Sequence, residues 1–266
     1  MKVGIIGLGT IGNEVYQYIT EELKSKAQVV ALCELHSEKI LNRYPTLSQD
    51  IFDSIEGCVE KSDLIIECAG VEVVQELLKH CIASKKNTII MSVGGLIQDM
   101  DLLSQIDSSP IKVYVPSGAV GGLDVFKAAS IKEIRSVQIK TKKPLKGLEG
   151  APYLEKNNID LTKINEETVL FKGNAMQAIR GFPKNVNVAV AVSLAGIGVQ
   201  NTMVEIITSP YFKNNSHEVT IEGVFGKMTC MTENIPSPNN PKTSYLAALS
   251  CKALIKKILN PMEIGT

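Results

Sequence analysis

One short stretch limits what this chain can fold into more than any other. Residues 3–12 read Val3-Gly4-Ile5-Ile6-Gly7-Leu8-Gly9-Thr10-Ile11-Gly12, an apolar run that passes into Gly-x-Gly-x-x-Gly. A helical pattern follows, and then a second apolar run, Gln28–Cys33, that closes on Glu34, 22 residues after Gly12. Glycines alone mark any tight strand-to-helix turn. Strand, turn, helix, second strand and terminal acid in register are how a dinucleotide is gripped. Gly7 permits the turn, Gly9 lets backbone approach a pyrophosphate, and Gly12 lets the helix pack closely on the strand. The helix start, with Thr10 and Ile11, presents its N-terminus to the phosphates. Glu34 is placed to accept hydrogen bonds from the adenosine ribose hydroxyls, which favours NAD over NADP.

The pattern continues through the first 115 residues. Leu64–Cys68, Thr88–Met91 and Ile111–Val115 read as further strands, with helices over Ile11–Ser25 and Val71–Ser84. Continuous apolar strands separated by helices indicate a parallel sheet covered on both faces. The expected fold class is α/β, with an N-terminal doubly wound (Rossmann) parallel sheet over residues 1–116. After Val115 the pattern changes. A glycine-rich connection, Pro116–Gly122, leads into a helix to about Ala129, and strand-like segments follow: Glu133–Lys140, Thr168–Phe171, Met203–Thr208, Glu218–Glu222 and Val224–Thr232. Helices over Asn174–Arg180 and Asn187–Gln200 interleave. Alternating strands with a hairpin near Gly223 predict a C-terminal α+β antiparallel-sheet domain over residues 117–238. Residues 239–266 predict a last helix ending near Leu259, capped by Thr243 or Ser244 and packing back on the nucleotide domain.

Composition excludes several classes of function. The 266 residues carry 28 basic and 28 acidic side chains without a block of either sign, so neither nucleic acid nor an anionic membrane surface is expected as partner. The stretch Val188–Val199, interrupted by Ser193, is shorter than the roughly 20 residues a bilayer span needs. The first strand begins at Lys2, which leaves no room for a signal peptide. Six cysteines without a Cys-x-x-Cys pair read as buried thiols of a cytoplasmic protein, with no metal site expected.

Few side chains here titrate near neutrality. Of three histidines, His36 follows Glu34 at the adenosine end, His80 lies within a helix, and His217 opens a strand of the second domain. A lone histidine is more often structural than catalytic. Asn185 and Asn187 precede an alanine-rich helix. Either caps its first amides, or the capped helix start faces a carboxamide or a substrate carboxylate. Ser92-Val93-Gly94-Gly95 and Pro116-Ser117-Gly118-Ala119 each follow a strand of the nucleotide sheet. Backbone near Gly94 and Ala119 is therefore placed to meet the nicotinamide half, although such glycines also serve ordinary turns.

Together these blocks resemble the L-aspartate dehydrogenase family over nearly the whole chain. The likeness is carried by Gly7–Gly12, Met91–Gly94, Pro116–Asp124, Phe182–Ala189, His217-Glu218-Val219 and Asn240–Ser244. The resemblance implies a homodimeric enzyme that oxidises L-aspartate with NAD or NADP. Its product, iminoaspartate, hydrolyses to oxaloacetate and ammonia or feeds de novo NAD synthesis by hand-over to quinolinate synthase. It also implies that His217 is the catalytic residue and that Ala119 and one asparagine contact cofactor. That asparagine maps to Asn187 by its distance to His217, with Asn185 as the alternative. One histidine titrating near neutrality would serve both proton steps. A dicarboxylate needs cations, and Asn185, Lys184 and Lys242 are the candidate substrate residues. Two departures from the family pattern are Gly95, where alanine is common, and Glu34, where aspartate is common. A homoserine dehydrogenase-like oxidoreductase is the nearest rival, and a non-catalytic NAD-binding sensor is a third reading. No cysteine stands in a block suited to a phosphorylating aldehyde dehydrogenase, and the Glu-Lys-Pro triplet of sugar-dehydrogenase relatives is replaced by Ile90-Met91-Ser92-Val93.

Overall fold

Five strands, β1 (Lys2–Ile6), β2 (Gln28–Cys33), β3 (Leu64–Glu67), β4 (Asn87–Ile90) and β5 (Val113–Tyr114), form a wholly parallel sheet in the order β2-β1-β3-β4-β5. The computed structural model describes residues 1–183, 187–238, 240–262 and 264, with Pro241 and Lys242 described in backbone only. Two units are distinguished, one of Met1–Pro116 with Ala248–Pro261, the other built on Ser117–Ala247. In the first unit β1, β3 and β4 are buried along almost their whole length, as strands covered on both faces must be. Helices α1 (Thr10–Gln17), α2 (Ser37–Arg43), α3 (Ile55–Lys61), α4 (Val71–Ser84) and α5 (Met100–Ser108) connect them. The helix expected over Ile11–Ser25 leaves α geometry after Gln17 and widens into a π turn over Tyr18–Glu22. There the Thr20 hydroxyl donates to the Tyr16 carbonyl at 2.9 Å and competes with the backbone ladder. The fifth strand is shorter than its apolar run suggested, because it lies at the sheet edge with only β4 beside it.

At the carboxyl end of this sheet a buried acid organises the loops. Glu67 ends β3 fully out of solvent. Its carboxylate accepts from the amides of Ala69 (2.8 Å), Gly70 (2.9 Å) and Ser92 (2.8 Å), and from the Ser92 hydroxyl (2.8 Å). Burial pushes the Glu67 carboxyl up, and these donors oppose the shift. Beyond Ser92 the chain makes a tight turn in which a Cβ on Gly95 would stand 2.5 Å from Val74 Cβ of α4. The glycine at this departure from the family pattern is thus required by close helix packing.

The second unit holds α6 (Leu123–Ala129), β6 (Ile134–Pro144), α7 (Pro152–Lys156), β7 (Thr168–Asn174), α8 (Ala175–Gly181), α9 (Asn187–Ala195), β8 (Thr202–Ser209), β9 (Asn215–Gly223) and β10 (Gly226–Asn234). Its sheet runs β10-β9-β6-β8-β7. Three pairings are antiparallel, but β6 and β8 are parallel, so the sheet is mixed. A parallel pair needs a long crossover, and β7, α8 and α9 supply it. The inward residues Val137, Ile139, Val204, Ile206, Val219 and Ile221 are buried. Above Val137, a Cβ on Gly196 would meet Val137 Cγ2 at 3.2 Å and Phe126 of α6 at 3.5 Å, so helices cover this face.

Two boundaries differ from the sequence expectation. β6 runs on to Pro144 instead of ending at Lys140, and the β9–β10 hairpin turns through Val224-Phe225, with Gly226 at φ +115°. Asn240–Ser244, expected to lead into the last helix, is a strand, β12, paired with β11 (Pro236–Ser237). Helix α10 (Tyr245–Leu259) then follows. Within the first unit its Lys252 pairs with Glu14 of α1 at 2.7 Å, and Asn260 accepts from Lys26 at 2.8 Å.

Removing the Glu67 carboxylate leaves three amides at the loop ends without their acceptor. Glu67→Ala should therefore lower unfolding free energy by on the order of 3 kcal/mol, and Glu67→Gln, which keeps one oxygen, by less. Urea denaturation checks this, and a loss under about 0.5 kcal/mol for the alanine variant contradicts it.

Candidate active site

In the first unit the glycine turn has the form its sequence predicted. Gly7 takes φ +83°, and a Cβ there would lie 2.5 Å from Ala69 Cα. A Cβ on Gly12 would reach 2.0 Å from the Gly7 carbonyl oxygen, so the helix is seated directly on the turn. Gly9 is the N-cap of α1 without any side-chain cap, and its Cβ direction is open. Thr10 and Ile11, half-buried, begin the helix. Glu34 stands beyond β2 with Oε2 accepting from the Leu8 amide at 2.7 Å and Oε1 from the His36 amide at 3.2 Å. It is tied to the glycine turn itself. An open glycine cradle, a helix start without a side-chain cap and a half-buried carboxylate beside them fit the phosphates and ribose of a dinucleotide. Gly94 is buried in the turn after β4, next to the Ser92 that Glu67 holds.

In the second unit Ala119 and His217 prove to be neighbours through one strand. Gly118, at φ +63°, turns the chain so that the Val120 amide donates to the Ser117 carbonyl at 3.3 Å. The Ala119 carbonyl then accepts from Thr232 Oγ1 and from Asn234 Nδ2, each at 2.9 Å. Thr232 pairs across the strands with His217. His217 is only 4% exposed, and its Nδ1 shares a 3.0 Å hydrogen bond with Thr141 Oγ1 of β6. Burial, aided by the charge of Lys143, lowers the imidazole to about 3. The expectation of a histidine titrating near neutrality is therefore corrected: in this pocket the ring is held neutral. Burial also lowers the Lys143 ammonium, to about 8.

The remaining candidates are distributed less tightly. Asn187 is the first residue of α9 and is exposed. Lys184 and Asn185 lie outside the described residues, and Lys242 falls on β12 with its side chain outside them. His36 is exposed, 3.5 Å from Glu38, and His80 lies in α4. The sequence reading missed Glu67, Thr141, Lys143 and Asn234. For Thr141 and Lys143 a signal existed, since the alternation Val137, Ile139 continues through both. Among the described residues no cluster of histidine, cysteine or acids is arranged to hold a metal, and no helix is long and apolar enough to cross a membrane.

Two family profiles match the chain. One described as aspartate dehydrogenase, C-terminal, covers residues 124–258, and one described as homoserine dehydrogenase, NAD binding domain, covers residues 7–111. An L-aspartate dehydrogenase of Methanosarcina barkeri is 41% identical over all of both chains. One of Bradyrhizobium diazoefficiens is 36% identical over all of this chain and 94% of its own. The crystal structure of an aspartate dehydrogenase from Thermotoga maritima superposes with a TM-score of 0.73 at 25% identity, covering 100% of this chain and 99% of that one.

The buried imidazole has a consequence for stability against pH. The unfolded ring binds its proton near 6.5 and the folded one only near 3, so the unfolded state holds more protons between those values. Stability is then full above pH 6.5 and falls on acidification through the window, by up to about 1.4 kcal/mol per pH unit. Between pH 7 and 5, His217→Gln should lose about 2 kcal/mol less than the native chain in urea titrations. Equal losses in both would show that the ring is not buried neutral.

Proposed function

The chain belongs to the aspartate dehydrogenase family, and on that premise we propose that it oxidises L-aspartate to iminoaspartate at the expense of a nicotinamide dinucleotide. What carries the reading is the match of residues 124–258 to the aspartate dehydrogenase profile, because that span contains His217, its anchor Thr141, and Lys143. Gly7, Gly9, Thr10, Ile11, Gly12 and Gly94 would hold the dinucleotide, with Ala119 and Asn187 toward its nicotinamide half. Bound there, the nicotinamide supplies the acceptor for the hydride that leaves the substrate Cα.

The protein's own task is to manage protons. L-Aspartate arrives as an ammonium, and its nitrogen must lose a proton before the Cα–H bond can give up hydride. His217 is neutral and receives that proton, with Thr141 fixing the ring. The substrate carboxylates, once beside the ring, favour the imidazolium that results. The imine then takes up water, from which the same ring, neutral again, withdraws a proton. Oxaloacetate and ammonia leave, or iminoaspartate is handed to a quinolinate synthase. Glu34 should make NAD the better cofactor, since its charge opposes a 2′-phosphate. Asn185, Lys184 and Lys242 remain candidate substrate contacts, and a homodimer is the expected assembly.

A panel of amino acids offered with NAD and NADP, read at the absorbance of the reduced cofactor, tests this reading. L-Aspartate with NAD should give the dominant rate, and His217→Asn should lower kcat by about 10²-fold while NAD affinity changes no more than a few-fold. Equal rates with homoserine, favoured by the profile over residues 7–111, would move the assignment to that rival. No activity with any amino acid would leave the sensor reading.

A further inference from the structure

Met228, Cys230, Thr232 and Asn234 of β10 share one face, because side chains alternate along a strand. Register puts Cys230 opposite the buried Val219 of β9 and Thr232 opposite the buried His217, so this is the inward face of the sheet. The segment that leads from Ala119 into α6 lies along it. A Cβ on Gly122 would stand 3.3 Å from Cys230 Cβ, and one on Gly121 would stand 2.8 Å from Cys230 Sγ and 3.5 Å from Thr232 Cγ2. Backbone therefore rests on the strand as far as Cys230, and beyond it the hydrogen bonds of Thr232 and Asn234 to Ala119 take over.

These three groups close on one another. Thr232 Oγ1 and Asn234 Nδ2 each donate to the Ala119 carbonyl at 2.9 Å, and Nδ2 also donates toward Thr232 Oγ1 at 3.4 Å. Both lone pairs of the carbonyl are taken, so what Ala119 can offer a ligand is its amide and its methyl group. Asn234 is 3% exposed, and its Oδ1 is buried without a hydrogen-bond partner. An amide turned the other way would set that oxygen against the Ala119 carbonyl. The orphaned acceptor is thus the consequence of giving the nitrogen to Ala119. Burying an acceptor without a partner is costly, and an apolar side chain would fill the place without that cost. Packing alone does not account for an amide here; the carbonyl that it holds does.

We propose that Asn234 is a positioning residue of the cofactor site: with Thr232 it fixes the Ala119 turn on the strand that pairs with His217, and so sets where the nicotinamide half stands relative to the proton acceptor. The proposal rests on the reading above that Ala119 faces the nicotinamide half. Asn234 acts through Ala119.

Asn234→Asp keeps the shape of the side chain and puts an oxygen where the donating nitrogen was, and Thr232→Val removes the second donor. Each is titrated beside the native chain with NADH and with ADP-ribose, which lacks the nicotinamide. The native chain should bind NADH more tightly than ADP-ribose. In Asn234→Asp the Kd for NADH should rise about 10-fold while that for ADP-ribose stays within about two-fold of native. Its kcat with L-aspartate should fall about 10²-fold, as misplacement of a bound reactant predicts. Thr232→Val should weaken NADH by about three-fold or more, again without loss of ADP-ribose, and it carries the test where the aspartate variant fails to fold. An amide that served only packing would lower the melting temperature and leave the ratio of the two Kd values as in the native chain. That unchanged ratio in the folded variants would overturn the proposal, as would native binding of NADH no tighter than that of ADP-ribose. If the ratio shifts as expected but the native chain oxidises no amino acid, Asn234 keeps its role and the L-aspartate assignment falls instead.

Discussion

Glu67 ends its strand without solvent contact, and four donors from two different loops converge on its two oxygens. The rest of the first unit's rim follows from that arrangement. Ala69, held through its amide, is the surface against which Gly7 turns, with no room for a side chain between them. Ser92, held through both amide and hydroxyl, begins the turn that carries Gly94. A carboxylate is suited to this work because it offers several acceptor sites in one plane, and loop amides otherwise buried without partners are costly.

The second unit uses burial differently. His217 sits within a sheet face, fastened by Thr141 and lowered in basicity by its surroundings. A ring held neutral by burial is a weak base, and in the function proposed above the carboxylates of the substrate would supply the charge that raises its basicity. Ala119 is fastened to Thr232, the cross-strand neighbour of His217, so the turn that carries it and the imidazole are held to one strand.

Much of the first unit's fold is legible in the sequence. The glycine turn, Glu34 and the parallel sheet are local matters of spacing, and local spacing is what a sequence displays. The mixed character of the second sheet was not legible, since alternation on β6 and β8 is the same whichever way the strands pair. Glu67 was hidden because one acid at the end of an apolar run looks like an ordinary strand terminus. Its role comes from Ser92, 25 residues away. Lys143 is not legible as an inward residue when the strand is taken to end at Lys140, because the alternation reaches it only in the longer strand. The lowered basicity of His217 could not be read at all, for it arises from burial in the folded sheet and then from the charge of Lys143 on β6, which only strand pairing brings near.

The central claim is that hydride passes from Cα of L-aspartate to the cofactor while His217 handles only protons. L-Aspartate deuterated at Cα tests this directly, with the reduced cofactor analysed by mass spectrometry after turnover. The account predicts one deuterium in each molecule of reduced cofactor formed and none released to solvent. Deuterium appearing in water, with unlabelled reduced cofactor or none, would contradict it.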